Sequence, residues 1–176
     1  MSRLTVQNAF SLQVLNGLTG DTRFSGQMSQ HHAFVMMVKE KYWIEYRRRH
    51  YEGKNIHTYV ARGAAPPKRT RILLFYVSNP VKAVSGYADF VERKFDSPSE
   101  LWQEYGHESV LESQKDFEEF IGTAKNVSFV RFKNLHEAAD PIALSSLRML
   151  LGDSRFSRKG FYVDKDTASK LVSLME

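Results

Sequence analysis

The feature that most restricts how this chain can fold is a run of six apolar residues, Ile72 to Val77, with prolines on both sides. The run is rich in strand-forming residues and too short for a free-standing helix, which favours a buried strand. Pro80 then turns the chain into a second segment that contains Gly86. Glycine inside a strand is typical of a bulge or a sharp bend. The region therefore predicts two adjacent strands of a small, curved sheet.

Along the rest of the chain, segments with a strand pattern are interspersed with segments with a helix pattern. We predict strands at 34–38, 58–62, 71–77, 84–92, 127–133 and 160–163. We predict helices at 39–51, 98–106, 113–123 and 142–151, and a last one after Asp164 or Asp166. Turns are predicted at Asn134-Leu135 and Pro141. This irregular order indicates an α+β fold, a barrel-like sheet of five or six mostly antiparallel strands with flanking helices.

The 176 residues are enough for one domain with its own core. Residues 1–32 are weakly patterned, with a short helix predicted at 9–18, and we interpret them as an N-terminal extension. The domain itself is predicted to span 33–176.

The composition excludes several classes of protein. The chain has no Cys, so it has neither disulfides nor thiolate metal sites, which fits a reducing cytoplasm. No apolar stretch is long enough to span a bilayer, and the N-terminus lacks a signal-peptide pattern. His31 and His32 are adjacent and lack a nearby acidic partner, so we interpret them as a loop pair. We predict no metal and no cofactor.

Charge is distributed unevenly along the chain. Residues 33–71 contain ten Lys and Arg against three Glu, a net of +7, whereas residues 89–125 contain ten acidic residues against four basic ones, a net of −6. Such a chain can present one basic face to a nucleic acid and one acidic face to a protein partner. The alternative is that both regions are simply solvated surface.

Several sequence blocks, in a fixed order over about residues 33–163, resemble the ASCH family, a branch of the PUA-like fold. The blocks are the turn with Gly53, Lys54, Thr58, Tyr59 and Arg62, the segment Lys68-Arg69 to Gly86, Glu100-Leu101-Trp102, Phe117-x-x-Phe120, and Phe132-x-Asn134-Leu135. The resemblance implies a β-barrel with flanking helices and a cleft lined by the turn. It also implies binding of RNA or another nucleic acid, with a minority of members acting as hydrolases or nucleases.

The turn departs from the family pattern Gly-x-Lys-x-x-Glu-x-Arg, and Arg62 is its clearest match. His57 stands where Lys is usual, and Val60 stands where Glu or Thr is usual. Valine can be neither base nor nucleophile, whereas phosphate binding needs only cations and hydrogen-bond donors. The pattern therefore favours a binding module over an enzyme. The predicted nucleic-acid-binding residues are Lys54, His57, Thr58, Tyr59, Arg62, Lys68, Arg69, Tyr76, Arg131 and Lys133.

Two alternatives remain open at the level of sequence. The first is a hydrolase or nuclease acting on RNA or a modified nucleoside, with Thr58 as nucleophile and His57 or Lys54 as base. Neighbours on a strand point to opposite faces, so His57 is poorly placed to serve Thr58. The second is a sensor of a nucleotide-like ligand or a regulatory interaction domain. Individual residues also have structural readings: Tyr76 as a barrel residue, His57 as an exposed polar residue and Arg62 as an ion-pair partner.

Overall fold

The computed structural model describes residues 31–152 and 156–176. Its strands are β1 (Ala33–Val38), β2 (Ile56–Arg62), β3 (Ile72–Val77), β4 (Ala83–Asp96), β5 (Val127–Ala143) and β6 (Phe161–Val163). Its helices are α1 (Glu40–Tyr51), α2 (Pro98–Tyr105), α3 (Gln114–Ile121), α4 (Leu144–Leu151) and α5 (Lys165–Met175), with a 3₁₀ turn at Gly106–Glu108. The predicted helix at 9–18 lies outside the described residues, and the domain boundary at residue 32 stays a prediction.

The six strands form one mixed sheet in the order β2-β5-β4-β3-β1-β6. Strands β1 and β3 are parallel, and the other neighbouring pairs are antiparallel. Since β2 and β6 lie at the two ends of this order, the sheet is barrel-like without being closed. The α+β prediction of a curved, mostly antiparallel sheet with flanking helices is confirmed.

The apolar run is buried because both faces of the sheet are covered. On one face, Leu74 and Tyr76 of β3 pack in a cluster with residues of α4 and α5. On the other face, Leu73, Phe75 and Val77 pack in a cluster with Trp43 and other residues beneath α1. A strand buried on both faces is apolar at every position, which is why this segment does not alternate.

Gly86 occupies a bend, as predicted. The pairing of β4 with β5 shifts register between Val84 and Gly86. A Cβ atom at Gly86 would lie 2.6 Å from the Trp43 ring and would collide with the carbonyl oxygen of His136. The missing side chain therefore lets α1 pack directly against the bent strand.

The predicted turns at Asn134-Leu135 and Pro141 are wrong, because β5 continues through both positions. Asn134 has a φ of +53°, and its side-chain amide donates to Asp89 Oδ2 at 2.7 Å. It is therefore a kink within the strand. Helix α4 begins at Leu144, two residues later than predicted, because Ile142 pairs with Val84 in the sheet.

A third apolar cluster lies under α2 and α3. It joins Leu101 and Phe117 from these helices to Phe129 of β5 and Val60 of β2. These two helices and the turn between them form a wall beside β2, which positions the site described below. In the described parts of the chain, no helix is both long and apolar enough to cross a membrane.

Candidate functional site

A groove runs between the start of α1, strand β2 and the segment 109–111. Its central part, here called the tyrosine pocket, has a volume of about 260 Å³. Three tyrosine rings line it, Tyr42, Tyr46 and Tyr59, together with apolar side chains. Lys39, Ser78 and Ser109 are polar residues of its lining.

The three tyrosines differ in exposure. Tyr46 is 1% exposed, and its hydroxyl donates to the carbonyl oxygen of Thr58 at 3.0 Å. Tyr42 and Tyr59 are half-buried at the pocket. Burial, and secondarily the neighbouring Tyr42, raises the pKa of Tyr59, so its hydroxyl is protonated at neutral pH and can donate a hydrogen bond. The pocket therefore offers apolar ring faces and a small number of polar groups.

A second cavity of about 250 Å³, here called the basic mouth, lies beside the pocket. The two cavities share Met37 and Tyr59, and the charged residues of the mouth are Arg62, Arg158 and Lys159. Arg62 donates from Nε to the carbonyl oxygen of Phe120 at 2.6 Å, and its guanidinium lies 5.5 Å from the Phe120 ring centroid. This holds an exposed cation at the end of β2.

A third cavity of about 480 Å³, here called the acidic mouth, adjoins the pocket at other residues. The two cavities share Tyr42, Val110, Leu111 and Phe120. The charged residues of the acidic mouth are Lys41, Glu45, Glu112, Asp116 and Glu119. Opposite charges thus stand at the two ends of one groove.

A buried ionic network fixes the wall of the groove. Arg131 of β5 binds Glu108 through two hydrogen bonds and Glu92 through a third, of 2.5 Å. Thr58 donates from Oγ1 to Glu108 Oε2 at 2.7 Å. Burial raises the pKa of Glu108, but the hydrogen bonds from Arg131 and Thr58 outweigh it and leave that pKa below its usual range. Glu108 therefore ties the turn before Ser109 to the sheet.

Among the predicted binding residues, Tyr59 and Arg62 lie in the groove, and three others do not reach it. Thr58 is 0% exposed, with its hydroxyl bonded to Glu108, and Arg131 is held by two carboxylates. Tyr76 is 6% exposed and packs against Phe156 in the cluster on the other face of the sheet. These three side chains are engaged in contacts within the protein, because both faces of their strands are covered.

His57 is neither the exposed polar residue nor the cation that the sequence suggested. It is 0% exposed, with its ring 5.8 Å from Tyr46, 5.9 Å from His50 and 5.5 Å from Phe132. Neither ring nitrogen has a hydrogen-bond partner among the described residues. Burial, followed by the nearby charges of His50 and Arg49, lowers the pKa of His57 to about 4. The ring is therefore neutral at pH 7.

The remaining predicted residues are exposed but are distributed over the surface. Lys133 pairs in register with Ile56, at the opposite end of β2 from Arg62, and Lys54 precedes that same end. Seven strand residues span about 20 Å, so these lysines cannot share a phosphate with Arg62. Lys68 and Arg69 follow the residues that line the basic mouth, on the loop that leads to β3.

The arginines of α1 do not form a free basic face. Arg47 pairs with Glu137, and Arg48 pairs with Glu45 and Glu52. Arg49 pairs with Glu45 and also donates to the carbonyl oxygen of Ser109. Glu45 and Glu52 are already counted in the net of +7, and Glu137 offsets one further charge, so the pairs fix the positions of these arginines rather than remove the basic excess.

Sequence reasoning missed most of the pocket lining. Lys39 and Tyr42 at the start of α1, Ser78 and Ser109 come from three separate segments and share no motif. Tyr42 and Tyr46 have helical spacing, which correctly indicates a face turned toward the protein but does not show that a cavity lies there. In the described ranges, no group of three His, Cys, Asp or Glu side chains is placed to hold a metal ion.

The fold and groove define an α+β protein with a barrel-like mixed sheet and a cleft at one end of it. No protein-family model matches the chain. An ASCH domain-containing ribonuclease of Zymomonas mobilis is 29% identical over 132 residues, covering 75% of this chain and 87% of that protein. A crystal structure of the ASCH protein of Zymomonas mobilis matches with a TM-score of 0.67 and 18% identity, over 83% of this chain and 97% of that one. The structure of a mutant of that protein matches with the same TM-score and 19% identity, over 84% of this chain and 99% of the other.

The resemblance seen in the sequence is thereby confirmed: the chain is similar in sequence to an ASCH domain-containing protein and shares the fold of the ASCH crystal structures.

Proposed function

We propose that this chain binds single-stranded RNA in the groove, with one base in the tyrosine pocket and the adjoining phosphates at the basic mouth. The observation that carries the proposal is that Tyr59 lines both cavities, so that a base in one and a phosphate at the other would flank the same side chain. An aromatic pocket next to cations matches the two requirements of an unpaired nucleotide, a stacking surface for the base and positive charge for the phosphate.

The size of the pocket agrees with this ligand. Ligand cavities usually hold about 300–1,000 Å³, so 260 Å³ suits one small group such as a base. Tyr42 and Tyr59 supply half-exposed rings, and Lys39 and Ser78 supply donors for the edge of a base. The relative named a ribonuclease supports RNA as the nucleic acid.

The test is fluorescence anisotropy with labelled single-stranded RNA, single-stranded DNA and duplex DNA over a salt series. We expect RNA to bind most tightly and Arg62→Ala to weaken it while the melting temperature changes little. The salt dependence should become shallower by about one unit of log K against log salt, because one phosphate contact is lost. Lys170→Ala, which removes one exposed charge from α5, is the matched control and should leave binding unchanged. Unchanged affinity in a folded Arg62→Ala protein would reject the proposal.

Cleavage of the bound RNA is a second candidate function, favoured by the name of the relative. In this reaction the ribose 2′-hydroxyl loses its proton to a water molecule and attacks the adjacent phosphorus, and the bond to the 5′-oxygen breaks as that oxygen gains a proton. Tyr59 lines both cavities and its hydroxyl is protonated at neutral pH, which makes it our candidate for the donor of that proton. His57 is fully buried and cannot touch a substrate.

Cleavage is tested by incubating end-labelled RNA with the protein and resolving the products on a gel. If the candidate is correct, fragments form with unmodified RNA and not with 2′-O-methyl RNA, which lacks the nucleophile. Tyr59→Phe should slow cleavage more than it weakens binding. Intact RNA after incubation with a protein that binds it would leave binding as the function.

A further inference from the structure

The sign of the charge reverses along the groove. The basic mouth contributes Arg62, Arg158 and Lys159, and among the residues that the structure describes no acidic one lines it. At the other end, Glu45 is bound by Arg48 and Arg49, whose hydrogen bonds and charges lower its pKa to about 2. Among the described residues that line this cavity, the carboxylates of Glu112, Asp116 and Glu119 stand against one lysine, Lys41. The acidic mouth therefore keeps a negative balance.

These carboxylates would repel a phosphate group of any strand that extended from the pocket into the acidic mouth. Glu112 precedes α3, and Asp116 and Glu119 lie on that helix, all of them exposed. Asp116 is oriented by Ser113, whose hydroxyl donates to it at 2.7 Å. Glu119 is 4.0 Å from Lys115, a distance at which an exposed pair gains little.

The volume of the acidic mouth would not prevent a bound strand from entering it. The acidic mouth has about 480 Å³, more than the basic mouth or the tyrosine pocket. A nucleotide would fit there by volume, but its phosphate would meet like charges, which disfavour it. Charge, rather than shape, limits passage through the groove.

We infer that the groove receives the end of an RNA strand, with the terminal nucleoside in the tyrosine pocket and the chain leaving over the basic mouth. The inference rests on the proposed RNA binding and adds the part of the strand that is recognised. In this arrangement a strand that continued past the pocket would place a phosphate among Glu112, Asp116 and Glu119, so a strand without an end binds less well.

The experiment compares linear single-stranded RNA with a covalently closed circle of the same sequence and length. Both carry 2′-O-methyl riboses, so cleavage cannot open the circle. We expect the circle to bind about tenfold more weakly than the linear strand, or worse. Equal affinity for the two overturns the inference while RNA binding stands, and no binding of either overturns the proposed function itself.

A charge variant tests the cause. Replacing the three carboxylates together, Glu112→Gln with Asp116→Asn and Glu119→Gln, should raise the affinity for the circle toward that for the linear strand. The matched control changes three exposed acidic residues elsewhere, Glu104→Gln with Asp140→Asn and Asp166→Asn. It alters the net charge equally and should raise both affinities alike, preserving their ratio. If the groove variant also preserves the ratio, charge exclusion is wrong; thermal melting checks that both variants are folded.

Discussion

The guanidinium of Arg131 binds both carboxylate oxygens of Glu108, with Nε to Oε2 at 2.8 Å and Nη2 to Oε1 at 2.6 Å. The side chains are 14% and 8% exposed, respectively. Arg131 also lies 4.3 Å from the centroid of the Tyr105 ring. The pair connects strand β5 to the 3₁₀ turn that leads into Ser109, a residue of the pocket wall. A residue predicted to extend a binding surface is therefore a structural support for that surface.

Breaking this pair should lower the free energy of unfolding. Arg131→Ala leaves Glu108 buried without its main partner, and we expect a loss of about 3 kcal/mol in the free energy of unfolding. Urea denaturation measures it. Lys133→Ala, two residues along the same strand and exposed, is the control and should cost little. A similar small loss in both variants would show that the pair contributes nothing.

His57 should make stability depend on pH between about 6.5 and 4. Its pKa is about 4 in the folded protein against 6.5 for an ordinary histidine, so the unfolded chain binds the proton more readily in this range. Stability is therefore complete above pH 6.5, decreases as the pH falls and loses about 3 kcal/mol by pH 4. His57→Phe should flatten this part of the profile, whereas His107→Asn, at an exposed position, should not. The urea concentration at the midpoint of unfolding, measured for each protein at several pH values, tests this prediction.

Gly86→Ala should destabilise the fold because the added carbon collides with Trp43 and with the backbone at His136. Overpacking of this kind costs about 1–3 kcal/mol. Ser85→Ala at the adjacent buried position removes one long hydrogen bond of 3.4 Å and serves as the control. Thermal unfolding of the two variants should differ clearly; equal melting temperatures would mean that the bend has room for a side chain.

Tyr59 and Tyr76 should respond differently to substitution when RNA binding is measured. Tyr59→Ala removes a stacking surface from the groove and should weaken binding about tenfold, since base stacking is worth about 1–3 kcal/mol. Tyr76→Phe, on the other face of the sheet, should leave the affinity unchanged. Anisotropy titrations with the same RNA compare them. If a folded Tyr76→Phe protein lost RNA binding, the binding site would lie on the face of the sheet opposite the groove, and the proposed site would be wrong.

The sequence by itself determined the positions of the six strands and of the helices between them. These depend on local patterns: the apolar run at Ile72, the glycine at Gly86, and the side chain of Asp164, which caps α5 by accepting from the amide of Thr167 at 2.8 Å. Such signals act within a few residues, so they are readable without knowledge of the rest of the chain.

The tertiary structure alone decided which side chains are available for binding. His57 and Thr58 are adjacent, yet both are buried, because α1 covers one face of β2 and the turn at Glu108 covers the other. Tyr59 lines a groove while Tyr76 fills a core, although both are tyrosines of predicted strands. The environment of a strand residue depends on which distant element covers its face, and that information does not lie in the neighbouring residues.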